Sequence, residues 1–353
     1  MLRRLGLKKV ELEDLTIERM RCGRGFSFRQ DGAAVREAET RSRIADLVIP
    51  PAWHDVRIAG DSHAHLQAVG RDEAGRLQYL YHFAWSEIRA ARKVERLARL
   101  GRGLQKLRGA VAKDLAARKT ENGALDRRTM LAAAATLVDR AGLRAGHEAY
   151  AGPEGGRGAA TLLKRHVTVD GCEVKLAFPG KGGRRIEICL ADKQLARVLA
   201  ELKKVRGPRL FKERNGHGLR PLTAEDLNDY LREASGQDIT AKDFRTFLAS
   251  ARALELLCTA DPATTARERR RCLAGVSRQV GDVLNNTPTV ARASYIHPEV
   301  LERFEDGLLD PALLRPKRRQ GLDAAESALM RLIEDVEQVL EKKNGARAGA
   351  PSK

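Results

Sequence analysis

TLLKRHVTVDGCEVKLAFPGKGGRRIEICL, from Thr161 to Leu190, is the clearest β segment in the chain. Leu162 to Val169 reads as one strand. Asp170-Gly171 is a two-residue hairpin signal. Cys172 to Phe178 alternates, Pro179-Gly180-Lys181-Gly182-Gly183 turns, and Arg184 to Leu190 returns. The reading is a three-stranded antiparallel sheet, with Lys181 at the tip of a flexible hairpin. A lysine in a turn is most often only solvated.

Helical patterns flank this sheet. Trp85 to about Lys119 is helical and basic, with Leu97, Leu100 and Leu104 free to face inward. Arg127 to Arg140 is an alanine-rich helix that Gly142 can end. The glycine-rich run Gly152 to Gly158 lacks phosphate-loop spacing and reads as a connector. Beyond the sheet, Lys193 to Val205 is helical and stops at Gly207-Pro208. Thr223 opens another helix with a capping-box pattern. Lys242 to Leu257 follows with Arg245 in its first turn, then Thr264 to Leu284, weakened by Gly275 and Gly281. Leu322 to Lys343 is amphipathic, its apolar stripe a docking surface, and Asn344 to Lys353 reads as disordered.

The start of the chain is different. After a loose lead-in of about 15 residues, short strands dominate to about residue 88. Ile44 to Pro50 reads as a brief helix halted by Pro50-Pro51. Asp55 to Ile58, His65 to Val69 and Gln78 to His82 alternate like strands, which places Tyr79 and Tyr81 on one face. Such a pair serves either a half-buried sheet face or nucleic-acid stacking. The fold class is α+β: residues 1–88 form a mostly β domain, 89–310 a mostly helical domain with a three-stranded sheet, and 311–353 a helix and tail.

Composition narrows the partners. There are 65 Lys and Arg against 47 Asp and Glu, a formal charge of +18. That excess favours a polyanion. Arg92, Lys93, Arg96, Arg99 and Arg102 recur at three- and four-residue spacing. They form either a solvated face or a stripe that tracks phosphates. The five cysteines are scattered with no C-x-x-C pair, so a zinc site or disulfide framework is not indicated. No stretch nears the ~18 apolar residues of a membrane span, and no phosphate-binding loop points to nucleotide hydrolysis. These features fit a cytoplasmic protein without membrane, nucleotide or metal partners.

The segment GDVLNNTPTVARASYIHP, Gly281 to Pro298, carries Tyr295. Thr287-Pro288 is a helix start, Tyr295 follows that short helix, and His297-Pro298 closes it. Suppose Arg144, Lys181, Arg245, Asn286 and Tyr295 converge. A phenol oxygen could then attack phosphorus, two arginines could bind the non-bridging oxygens, and a lysine could protonate the departing oxygen. Spacing alone leaves that convergence open.

The motifs supply the rest. GRGFSF (Gly23 to Phe28), IPPAWHDV (Ile49 to Val56), AVGRDEAGRLQYLYH (Ala68 to His82), KVERL (Lys93 to Leu97), GLRAGHEAY (Gly142 to Tyr150), ATLLKRHV (Ala160 to Val167), FPGKGG (Phe178 to Gly183), KDFRTF (Lys242 to Phe247) and NNTPTVARASYIHP (Asn285 to Pro298) stand in this order. Together they resemble the type IB DNA topoisomerases of the small bacterial and poxvirus-like kind. The resemblance implies Tyr295 as nucleophile, Arg144 and Arg245 as phosphate clamps, and Lys181 as general acid. Asn286 stands where viral and eukaryotic members have histidine; it can donate a neutral hydrogen bond but cannot become cationic. The resemblance also implies DNA contacts from Gln67, Tyr79, Tyr81, Arg92, Lys93, Arg96 and Lys164. Its further implications are a monomer closing as a clamp on duplex DNA, a 3′-phosphotyrosyl intermediate, and no cofactor. Two other readings compete: a tyrosine recombinase, which shares the chemistry, and a silent basic DNA-binding protein.

Overall fold

The computed structural model describes residues 6–117, 125–152, 155–180, 183–215, 218–261 and 263–348. The chain divides into two compact units, with the break between Arg92 and Lys93.

The first unit is built on one antiparallel sheet. β1 (Ile17–Cys22) and β2 (Gly25–Gln30) form a hairpin, followed by β3 (Ala33–Ala34), α1 (Ala38–Asp46), β4 (His54–Ile58), β5 (Leu66–Arg71) and β6 (Leu77–Tyr81). Sheet order is β3-β2-β1-β4-β5-β6. Ile17, Ile44, Val56, Ile58 and Ala68 close over one another as its core. α1 starts earlier than the expected Ile44. Its first two turns are polar and show no apolar period, and only Ile44 is buried. Val48, at φ +46°, breaks the chain direction before the proline pair.

α2 (Trp85–Ala116) begins in the first unit and continues as the first helix of the second. Leu97, Leu100, Leu104 and Leu107 all face inward. They pack with α3 (Arg127–Ala141), whose stretch from Thr129 to Val138 is buried throughout. Gly142 ends α3 in the left-handed region, at φ +58°. The three-stranded sheet follows: β7 (Val167–Asp170), β8 (Glu173–Pro179) and β9 (Arg185–Ala191), in that order across the sheet.

The strand expected from Leu162 forms only at its end. Upstream, the Leu163 amide donates to His166 Nδ1 at 3.1 Å, and the Gly158 amide to Thr161 Oγ1 at 2.9 Å. These side chains turn the backbone into two short 3₁₀ turns instead of a ladder. The hairpin turn also sits one residue further on. Asp170 pairs with Glu173, leaving Gly171-Cys172 as the loop.

The remaining elements are α4 (Lys193–Lys204), the hairpin β10 (Lys212–Asn215) and β11 (Gly218–Pro221), α5 (Ala224–Ser235), α6 (Ala241–Cys258), α7 (Ala266–Leu284), α8 (Pro288–Val290), α9 (Pro298–Glu305) and α10 (Ala324–Ala348). The capping box at Thr223 is formed: the Asp226 amide donates to Thr223 Oγ1 at 3.1 Å, and the Thr223 amide to Asp226 Oδ2 at 2.8 Å. His297-Pro298 follows the Tyr295 turn and opens the next helix. His297 caps α9, its Nδ1 accepting from the Glu299 amide at 3.2 Å. α10 runs on through Ala348, into the stretch expected to be disordered; it is anchored by Leu329, Leu332 and Ile333, which are fully buried. Among the described residues no helix is long and apolar enough to cross a membrane.

Candidate active site

Four segments of the second unit bring the site together: the end of α3, the start of α6, the end of α7 and the turn Ala291–Tyr295. After α7 the chain reverses at Asn285, which takes the left-handed conformation at φ +51°. The Asn286 amide then bonds back to Gly281 O at 2.8 Å. Gly281 allows this return, since a Cβ there would lie 3.0 Å from Asn286 O and 3.3 Å from Pro288 N. This glycine weakens the helical pattern in the sequence because the reversal packs against it.

Thr287 Oγ1 accepts from the Val290 amide at 3.3 Å, with Pro288 at the first helical position. The helix then widens: the Ile296 amide reaches Ala291 O at 3.0 Å, a bond spanning five residues. Such π turns are rare and recur at functional sites. Tyr295 is the last residue of this turn, not one beyond it.

Arg245 is 4% exposed. Its Nη1 donates to Gly142 O, and its Nη2 to Leu284 O at 2.9 Å. One guanidinium thus ties the end of α3 to the end of α7. Its Cζ sits 4.8 Å from the centre of the Tyr295 ring. Its Nε is buried with no hydrogen-bond partner, an open donor in a closed place. Arg144 follows the Gly142 cap by two residues. The chain there is held by the Ala159 and Ala160 amides, which donate to Arg144 O and Ala145 O, each at 2.8 Å. Arg144 Nη2 donates to Asn286 Oδ1 at 3.0 Å, while Asn286 Nδ2 donates to Leu284 O at 3.2 Å.

The electrostatics follow from this packing. Burial pushes the Tyr295 phenol up, but the charges and hydrogen bonds of Arg245 and Arg144 outweigh it, and the net shift is downward. Burial and the neighbouring Arg144 lower Arg245, while Tyr295 works the other way. An arginine stays charged nonetheless. The site therefore pairs an activated phenol with two close cations. Four of the five proposed catalytic residues, Tyr295, Arg245, Arg144 and Asn286, are brought together. The fifth, Lys181, lies outside the described residues.

The proposed DNA contacts divide. Tyr79 and Tyr81 are exposed and stacked, ring centres 6.2 Å apart. Tyr81 stacks on Trp85 at 5.6 Å, and the Arg92 guanidinium sits over Trp85 at 5.3 Å. Gln67, by contrast, is 2% exposed. Its amide accepts from Arg43 at 2.7 Å and donates to Ala64 O at 2.7 Å. The arginine stripe of α2 is largely paired within the protein: Arg96 with Asp243 at 3.7 Å, Arg99 with Glu95 and with Asp238, and Arg102 with Glu337 at 2.8 Å. Lys93 donates to Ile296 O at 2.7 Å. Lys164 opens a 3₁₀ turn, half-buried, with its amide bonded to Pro208 O.

One residue here escaped the sequence reading. Arg157 lines a recess with Arg144, Phe178, Arg245, Leu284 and Asn285, and its amide bonds to Pro179 O at 2.8 Å, beside the hairpin end. A lone arginine in a run of glycines, Gly155 to Gly158, was the available signal.

Residues 85–310 match the family model of the eukaryotic DNA topoisomerase I catalytic core. Residues 25–72 match that of the bacterial DNA topoisomerase IB N-terminal domain. The chain is also similar to DNA topoisomerase 1B of Acanthamoeba polyphaga mimivirus, 28% identical over 272 residues, which cover 75% of this chain and 80% of that protein. The chain belongs to the type IB DNA topoisomerases. It is thus a type I topoisomerase, an isomerase whose partner is DNA.

Proposed function

We propose that the enzyme relaxes supercoiled duplex DNA by nicking one strand with Tyr295. The phenolate oxygen attacks the scissile phosphorus, the bond to the 5′ oxygen breaks, and a 3′-phosphotyrosyl ester forms. The 5′ oxygen leaves as a hydroxyl, its proton supplied by Lys181. Arg144 and Arg245 bind the non-bridging oxygens, and Asn286 adds a neutral hydrogen bond. The free end swivels, and the 5′ hydroxyl then attacks the ester to restore the strand. The ester preserves the bond energy, so this scheme needs neither ATP nor metal. The protein acts as a monomer that closes around its DNA.

The supporting observation is Arg245 over the Tyr295 ring at 4.8 Å. It places a buried cation against a phenol whose proton is thereby loosened. The test is plasmid relaxation with a chelator present and no ATP, stopped with denaturant. The wild type should relax the plasmid and trap as a covalent adduct. Tyr295→Phe should bind DNA and do neither. Relaxation or adduct from the phenylalanine variant overturns the assignment, as does a wild type that fails under chelation.

A further inference from the structure

The proposed nucleophile sits at the end of a turn, and the two consecutive peptide groups that follow it are pinned. Ser250 Oγ lies 3.3 Å from Tyr295 O and accepts from the His297 amide at 2.9 Å. Between them, Ile296 O accepts from Lys93 Nζ at 2.7 Å, a contact across 203 residues of sequence. His297 is buried beside this lysine, whose charge adds to burial in holding the imidazole neutral. Ser250 is also tied to Thr246 O at 2.7 Å, on the same helix as Arg245. So α6 supplies both the cation over the Tyr295 ring and one anchor of its main chain, and α2 supplies the other.

We infer that Lys93 is a positioning residue for catalysis: its ammonium fixes the Ile296 peptide and thereby the aim of the Tyr295 oxygen. This inference rests on Tyr295 being the nucleophile. It departs from the reading of Lys93 as a phosphate contact. A part-buried ammonium that donates to a main-chain carbonyl fixes that peptide in a way an apolar side chain of the same size cannot. Aim matters in this chemistry, because a displacement of about 1 Å at a reacting atom can lower the rate roughly 10²-fold.

The full-length protein carries the test, with Lys93→Met, Lys93→Arg and Tyr295→Phe. Single-turnover cleavage of a duplex is followed at saturating enzyme, and religation by adding a 5′-hydroxyl strand. Lys93→Met should slow cleavage and religation in parallel, by about 10- to 100-fold. The cleavage equilibrium, the pH at which the rate levels off and the salt dependence of binding should stay at wild-type values. Lys93→Arg, which can still donate to a carbonyl, should recover most of the rate. A wild-type rate constant in Lys93→Met overturns the inference, including when only the reacting fraction falls, since that marks a folding role. So does weaker binding with a salt slope shallower by about 0.9, the mark of a lost phosphate contact. An adduct in Tyr295→Phe removes the nucleophile assignment and this inference with it; an adduct confined to the wild type and an unaffected Lys93→Met removes the inference alone.

Discussion

Replacing Arg245 by alanine should damage rate and stability by separable amounts. The guanidinium donates to two buried carbonyls, Gly142 O and Leu284 O. Each acceptor left stranded costs roughly 1–3 kcal/mol, so the melting temperature should fall. The same guanidinium lies beside the Tyr295 phenol and, in the proposed reaction, binds the scissile phosphate. Losing such a cationic donor should cut cleavage by roughly 10²–10³. A further effect depends on pH. Arg245 is the leading influence that draws the Tyr295 phenol below its ordinary range, against burial that pushes it up. Without it the phenol rises, and the pH at which cleavage levels off moves upward. On the rising part of the profile, each pH unit of that movement costs about tenfold more. Single-turnover cleavage at saturating enzyme, measured across pH below the melting temperature, separates these contributions. A purely structural Arg245 would lower the melting temperature and leave the rate constant and profile unchanged. That result would refute the reasoning.

Two more expectations follow from neighbouring contacts. Asn286 is neutral and is shared between Arg144 and Leu284 O; Asn286→Ala should slow single-turnover cleavage less than Arg144→Ala, because charged donors are about twice as strong, and Asn286→Asp should be worse than Asn286→Ala, since a carboxylate would hold Arg144 and repel phosphate. His297 is 3% exposed and titrates at about 3 against an ordinary 6.5. The unfolded chain therefore binds the proton first, and stability is full above pH 6.5 and falls as pH drops towards 3, by about 1.4 kcal/mol per pH unit for this group. Denaturant melts at pH 4 to 7 should show that slope reduced in His297→Asn; an unchanged slope would place the acid sensitivity elsewhere.

The sequence carried its candidate catalytic residues more legibly than its local geometry. Tyr295, Arg144, Arg245 and Asn286 stand inside motifs whose family resemblance implied a site, and the structure places the four together. The helices α3, α5 and α7 were readable because Gly142, Thr223 and Leu284 mark their ends through caps and periodicity. What resisted reading depends on contacts distant in sequence. Leu162 to His166 looks like a strand, yet His166 and Thr161 side chains capture its amides. The α2 cations look like a free stripe until Asp243, Asp238 and Glu337 arrive from other helices. Gln67 alternates in pattern like an outward residue but is drawn inward by Arg43.

Asparagine at position 286 has its own logic in this site. Arg144 lies close enough to Arg245 to disfavour its charge. Among the described residues their partners are carbonyl oxygens, the Tyr295 phenol and Asn286 Oδ1. A third cation here would add to the repulsion and loosen the arrangement that holds the phenol. A neutral amide instead accepts from Arg144 through its oxygen and donates through its nitrogen, so it joins the two arms of the site at no charge. The cost falls on the transition state, where a cation would bind phosphate oxygen more strongly than an amide can. A dianionic transition state must then draw its stabilisation chiefly from the two arginines, and this is why removing either should be felt far more than removing the asparagine that lies between them and the turn.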